Sequence, residues 1–244
     1  MPPRLLSRAG LLGMFVAALG AGASLAAPLA AADRSAPCQL RGVEHQALCG
    51  SVQRPLDPAR PQGRRIDVHY AVLPALARNK HPDPVFFFAG GPGQSAIEIA
   101  PQVAALLARF ANRRDIVLID QRGTGHSAPL ACGGEDPALP LAELFSLDRQ
   151  RERLSLCLAR LKELPYGDLR FFTTTLAMQD ADAVRAAWGA ERVNLVGGSY
   201  GTRAVLEYQR QFPQRVRRVV IDGVAPSDMA LPAAASADNQ AALD

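Results

Sequence analysis

The run Gly197-Gly198-Ser199-Tyr200-Gly201 constrains this chain more than any other feature, because it joins two segments of different hydrophobic period. Arg192 to Val196 before it is a short apolar run of strand type, and Tyr200 to Phe212 after it has helical spacing. A serine between them must occupy a cramped bend that projects its hydroxyl from the sheet edge. Glycine at 197 and 201 lets neighbouring backbone approach that closely. Glycine and serine are common in turns, so the string gains meaning only from the strand before it and the helix after it.

The rest of the chain repeats this alternation. Ile66, Val68, Tyr70 and Val72 alternate with more polar residues, the period of a half-buried strand, and Leu48 to Leu56 is a weaker strand candidate. Val85 to Ala89, Asp115 to Asp120 and Val216 to Ile221 are short apolar runs, as strands covered on both faces require. Helical spacing appears over Ile97 to Phe110 and Leu176 to Trp188. Strand and helix in this order predict an α/β fold: a mostly parallel sheet with right-handed crossovers and helices on both faces. Pro129 to Pro140, rich in Gly, Pro and acids, reads as a surface excursion followed by a helix near Leu141 to Leu164.

Two further motifs end strands. Gly90-Gly91-Pro92-Gly93 follows the Val85 run, where a backbone amide could meet an oxygen that becomes negative during acyl transfer. Gly91 and Tyr200 are the expected donors, since Pro92 has no N–H. Asp120-Gln121-Arg122-Gly123-Thr124-Gly125-His126-Ser127 closes the next strand. Asp120 and Arg122 are expected to shape that loop and to pair with each other. His45, His69, His81 and His126 all precede Ser199.

In this order the three motifs resemble those of α/β-hydrolases, specifically the secreted tripeptidyl aminopeptidase and prolyl aminopeptidase group. Thr173-Thr174-Thr175 with Asp180 and Asp182, the Asn194 to Arg203 run, and Ile221-Asp222-Gly223-Val224-Ala225-Pro226 extend the likeness from about Cys38 onward. Ala89 departs from the histidine or other polar residue that many members carry before the paired glycines. The resemblance implies an α/β-hydrolase fold, Ser199 as nucleophile on an elbow made with Gly197, Gly198 and Gly201, and a peptide substrate, with no cofactor and no metal. In that fold the acid and histidine follow the serine, so both are expected outside this chain, which reads as truncated before the lid and last strands. Asp222 and Asp228 are expected to be structural. A carboxylesterase or lipase, and a non-catalytic binding domain, are the competing readings of the same half-site.

Residues 1–32 read as a signal peptide: Arg4 and Arg8, an apolar stretch from Ala9 to Leu25, then small residues to Ala32. Residues 33–225 form the expected hydrolase core and 226–244 the start of a lid. Periplasmic or secreted location follows, with no stable membrane span once the signal is cleaved. The formal charge of +4 includes Arg4 and Arg8, leaving +2 spread along the mature part, which argues against a nucleic-acid partner. In an oxidising compartment Cys38, Cys49, Cys132 and Cys157 are disulfide candidates, and of three pairings Cys38 with Cys49 and Cys132 with Cys157 is the most local.

Overall fold

A computed structural model describes residues 35–134, 138–144, 146–230 and, beyond them, 237, 239–241 and 243. The expected signal peptide lies outside the described residues, and so do residues 231–236, 238, 242 and 244 of the expected lid start.

Seven strands form one sheet: β1 (Ala36–Cys38), β2 (Ala47–Pro55), β3 (Arg65–Leu73), β4 (Val85–Phe88), β5 (Ile116–Ile119), β6 (Val193–Gly198) and β7 (Val216–Asp222). Their order is β1-β2-β3-β5-β4-β6-β7. Strands β5, β4, β6 and β7 are mutually parallel, whereas β1, β2 and β3 join antiparallel, so the sheet is mixed. Every residue of β4 and β5 is buried, as their unbroken apolar runs predict for central strands.

Side-chain alternation divides the core into two layers. Phe86, Phe88, Val117, Ile119 and Leu195 face one side, where they pack with Met178, Ala181 and Val184 of α5 (Thr174–Ala187) and Val205 and Tyr208 of α6 (Tyr200–Gln211). For continuous numbering, α1 to α4 are Ala100–Leu106, Ala108–Ala111, Leu141–Leu144 and Leu147–Lys162. Val85, Phe87, Ile116 and Leu118 face the other side, against Val103 of α1 and Leu107. The helix expected over Ile97 to Phe110 is split there, because buried Leu107 leaves helical geometry (φ −100°, ψ 15°) between α1 and α2. Both disulfides form in the local pairing: Cys38 to Cys49 ties β1 to β2, and Cys132 to Cys157 ties the excursion to α4.

From β4 the chain crosses to β5 on one side, and β6 pairs with β4 on the other before crossing to β7. The connection direction reverses between β4 and β6. Loops leaving the carboxyl ends of these two strands therefore part and open a crevice. The bend at Ser199 and the Gly90–Gly93 loop are those two exits.

At the opposite end, Asp83 clamps the strand starts. Its carboxylate accepts from Arg114 Nε (2.9 Å), Arg217 Nη1 (3.0 Å) and Asn194 Nδ2 (2.7 Å), drawing together the beginnings of β4, β5, β6 and β7. Burial opposes ionisation, but the hydrogen bonds from Asn194 and Arg114 and the nearby guanidinium charges outweigh it and hold the carboxyl below the usual aspartate range. Because the folded value is the lower one, this contribution is complete above the unfolded pKa of about 4 and fades as pH falls through the folded value. Asp83→Asn is expected to cost about 2 kcal/mol at pH 7, with the gap to wild type shrinking by pH 3, as read by thermal denaturation across that range.

Candidate active site

Strand β6 ends in Gly197-Gly198, and α6 begins at Tyr200, leaving Ser199 as the hinge between them. Ser199 adopts φ 52°, ψ −125°, a left-handed conformation that a residue with a Cβ visits at a cost. A serine at the N-cap usually turns its hydroxyl back onto the helix. Here it makes no such bond, and the exposed residue faces the crevice instead.

Neighbours hold the bend from both sides. The Ser199 N–H donates to the Asp222 carbonyl at the end of β7 (2.9 Å), and the Ser199 carbonyl accepts from the Thr202 N–H (3.0 Å) and hydroxyl (2.7 Å). Thr202 Oγ1 in turn accepts from the Ala225 N–H at 2.8 Å. Glycines make the approach possible: a Cβ on Gly201 would overlap the Phe88 carbonyl oxygen, and one on Gly197 would overlap the carbonyl of Gly201. Gly198, by contrast, has open space where a side chain would go.

The loop after β4 lies directly against this bend. A Cβ built on Gly90 would sit 3.2 Å from Ser199 Cβ and 3.6 Å from its Oγ. Gly90, Gly91, Gln94, Ser199, Asp222 and Gly223 together line an open cleft of about 620 Å³. Gly91 has φ 104° and Gly93 φ 101°, and the Gln94 N–H reaches back to the Gly90 carbonyl at 3.4 Å. Tyr200 opens α6, where the first amides have no partner within the helix and the helix dipole is positive. Its phenol hydroxyl is 2.7 Å from Thr174 Oγ1, and the Arg203 guanidinium lies over its ring at 5.8 Å.

The second loop departs from expectation in one respect. Arg122 does not pair with Asp120. It makes a two-pronged bond to Asp180 instead (Nε to Oδ2, 2.7 Å; Nη2 to Oδ1, 2.8 Å) and also donates to the carbonyls of Leu56 and Phe171. Asp120 is occupied elsewhere, by Ser95, Ile97 and His126. Asp180 further accepts from Arg54 Nε at 3.0 Å. The sequence carries a signal for this ion cluster: Asp180 falls among Ala177, Ala181 and Val184 on the buried face of α5, where an acid demands a cation. The ring of His126 stands 5.9 Å from that of His69. Asp222 borders the cleft, and its carbonyl supports Ser199. Among the described residues no group of three His, Cys, Asp or Glu side chains is placed to hold a metal ion, and no helix is long and apolar enough to cross a membrane.

The family profile described as alpha/beta hydrolase fold matches residues 83–242, which span both cleft loops and the bend. The chain belongs to the α/β-hydrolase family. Among curated relatives of this hydrolase, tripeptidyl aminopeptidase from Streptomyces lividans is 33% identical over 193 residues, covering 72% of this chain and 35% of the relative. Serine protease Hip1 from Mycobacterium tuberculosis is 32% identical over 187 residues, with 72% and 36% covered. The hydrolase chain thus spans about a third of the length of these relatives. A solved proline iminopeptidase from Mycobacterium smegmatis aligns over 80% of this chain and 50% of its own, at 22% identity and TM-score 0.47.

Crowding at the bend gives a direct test. Gly201→Ala is expected to destabilise the hydrolase by about 3 kcal/mol, since the added methyl meets backbone rather than a movable side chain. Gly198→Ala, with open space around its Cβ, should leave the melting temperature near wild type. Thermal denaturation of the two variants side by side checks the contrast.

Proposed function

We propose that this hydrolase chain belongs to an exported serine peptidase that releases N-terminal residues or short peptides through an acyl-enzyme on Ser199. One observation carries the reading: Ser199 sits at a left-handed strand-to-helix bend with its hydroxyl in a cleft shared with the Gly90–Gly93 loop. In the proposed chemistry Ser199 Oγ attacks the scissile carbonyl carbon, and the carbonyl oxygen becomes an alkoxide. The backbone N–H groups of Gly91 and Tyr200 receive that charge, each donor worth ~3 kcal/mol of barrier. Collapse of the tetrahedral species expels the amine, and water later releases the acyl group from Ser199.

A serine hydroxyl needs a base to take its proton. All four histidines precede Ser199, and in this fold the acid and the histidine follow it. None of these four histidines is therefore assigned as that base. The peptide substrate rests on the relatives, named tripeptidyl aminopeptidase and serine protease. Export is supported by the residues at 1–32, which have the composition of a signal peptide, and by the two disulfides, which persist in oxidising compartments.

In the full gene product carrying this chain, a fluorophosphonate should label Ser199. Ser199→Ala should abolish labelling and lower kcat roughly 10⁶-fold. Peptides with a free N-terminus should be cleaved and their N-acetylated forms spared. An active Ser199→Ala protein would sink the assignment, and hydrolysis of esters alone would turn it toward an esterase.

A further inference from the structure

Asp120, at the exit of β5, is fully buried, yet the nearest arginine in sequence, Arg122, is committed to Asp180. Its carboxylate is used by two loops. Oδ1 accepts the Ser95 hydroxyl at 2.7 Å and the Ile97 N–H at 3.2 Å, and Oδ2 accepts the His126 N–H at 3.2 Å. Ser95, 3% exposed, is held on both sides, because its Oγ also accepts the Glu98 N–H at 3.0 Å.

The surroundings are cut to fit this carboxylate. Gly125 turns through φ 49°, and a Cβ there would overlap Asp120 Oδ2 and lie 2.8 Å from Ser95 Oγ. Ser95 immediately follows the turn that the Gln94-to-Gly90 bond closes, and the front of that turn rests on Ser199. One end of the 90–94 turn is thus set by β4, while the other is fastened to Asp120.

We propose that Asp120, acting through Ser95, is a positioning residue that fixes the 90–94 turn against Ser199 and so aims its amides at the acyl oxygen. The inference rests on the serine hydrolase reading above. It predicts an effect on the transition state rather than on substrate binding, because the aimed amides gain most when the oxygen becomes negative. A displacement on the order of 1 Å in such a group costs up to about 10²-fold in rate.

The test uses Ser95→Ala, Asp120→Asn and the double variant in the full gene product. Asp120→Asn replaces one carboxylate oxygen with an amide nitrogen, so the Ile97 N–H or the His126 N–H faces a second donor and Ser95 loses its charged acceptor. Each single variant is expected to lower kcat about 10- to 100-fold with KM within twofold, and the double variant to be no worse than the poorer single, as members of one unit behave. The ³¹P resonance of phosphonylated Ser199 should shift in each variant, reporting the altered donors around the phosphoryl oxygen. Values of kcat within twofold of wild type, multiplicative losses in the double variant, or loss of folded protein in both singles would each overturn the proposal. If Asp120→Asn alone fails to fold, Ser95→Ala decides. An active Ser199→Ala protein would instead remove the underlying hydrolase reading, which keeps the two failures apart.

Discussion

The close passage of the first turn of α6 across the end of β4, with Gly201 against the Phe88 carbonyl, is the contact on which the rest of this structure depends. It forces the chain to leave β6 through a bend too tight for ordinary backbone angles, and the residue at the apex is a serine at φ 52°. Such a conformation persists only where its surroundings over-determine it. The Asp222 carbonyl and the Thr202 hydroxyl do so here, from β7 and from α6. The strain at Ser199 and the support around it are therefore one feature.

Buried carboxylates join the elements of the sheet and its helices at both ends of the strands. At the strand starts Asp83 gathers two arginines and an asparagine, and beneath the 121–127 loop Asp180 gathers Arg122 and Arg54. On α6 itself, the Tyr208 hydroxyl donates to Asp182 at 2.9 Å, which locks the helix carrying the bend onto α5. Burial and the Asp182 carboxylate push that phenol well above its usual range, which favours the protonated donor. Each of these carboxylates is matched by donors, as low-dielectric burial requires.

How much of this was legible in the sequence depends on the range of the interaction. Val-Phe-Phe-Phe at β4 and Ile-Val-Leu-Ile at β5 read as buried strands because their period reflects burial on both faces. The bend at Ser199 was legible because its marks in the sequence are local: glycines, a strand before and a helix after. The antiparallel joining of β1, β2 and β3 was not, since pairing direction is set by where the chain travels between strands. The Arg122–Asp180 pair spans 58 residues. Proximity in sequence pointed Arg122 to Asp120 two residues away, and only the fold shows that carboxylate already saturated by Ser95, Ile97 and His126.

The segment leaving β7 is bound to Ser199 and the first turn of α6 at three successive points. The Asp222 carbonyl takes the Ser199 N–H, the Ala225 N–H reaches Thr202 Oγ1, and Arg203 Nη2 donates to the carbonyls of Pro226 and Met229. These bonds belong to the same turn of α6 that follows the bend, so the path of residues 222–229 is tied to the bend as well as to burial of Ala225. A Cβ added to Gly223, which has φ 62°, would lie 3.8 Å from the Ser199 nitrogen, and the residue borders the cleft. The geometry that strains Ser199 therefore also steers the chain after β7 along the rim of the cleft, and one backbone bond together with bonds from the Thr202 and Arg203 side chains couples the shape of that rim to Ser199.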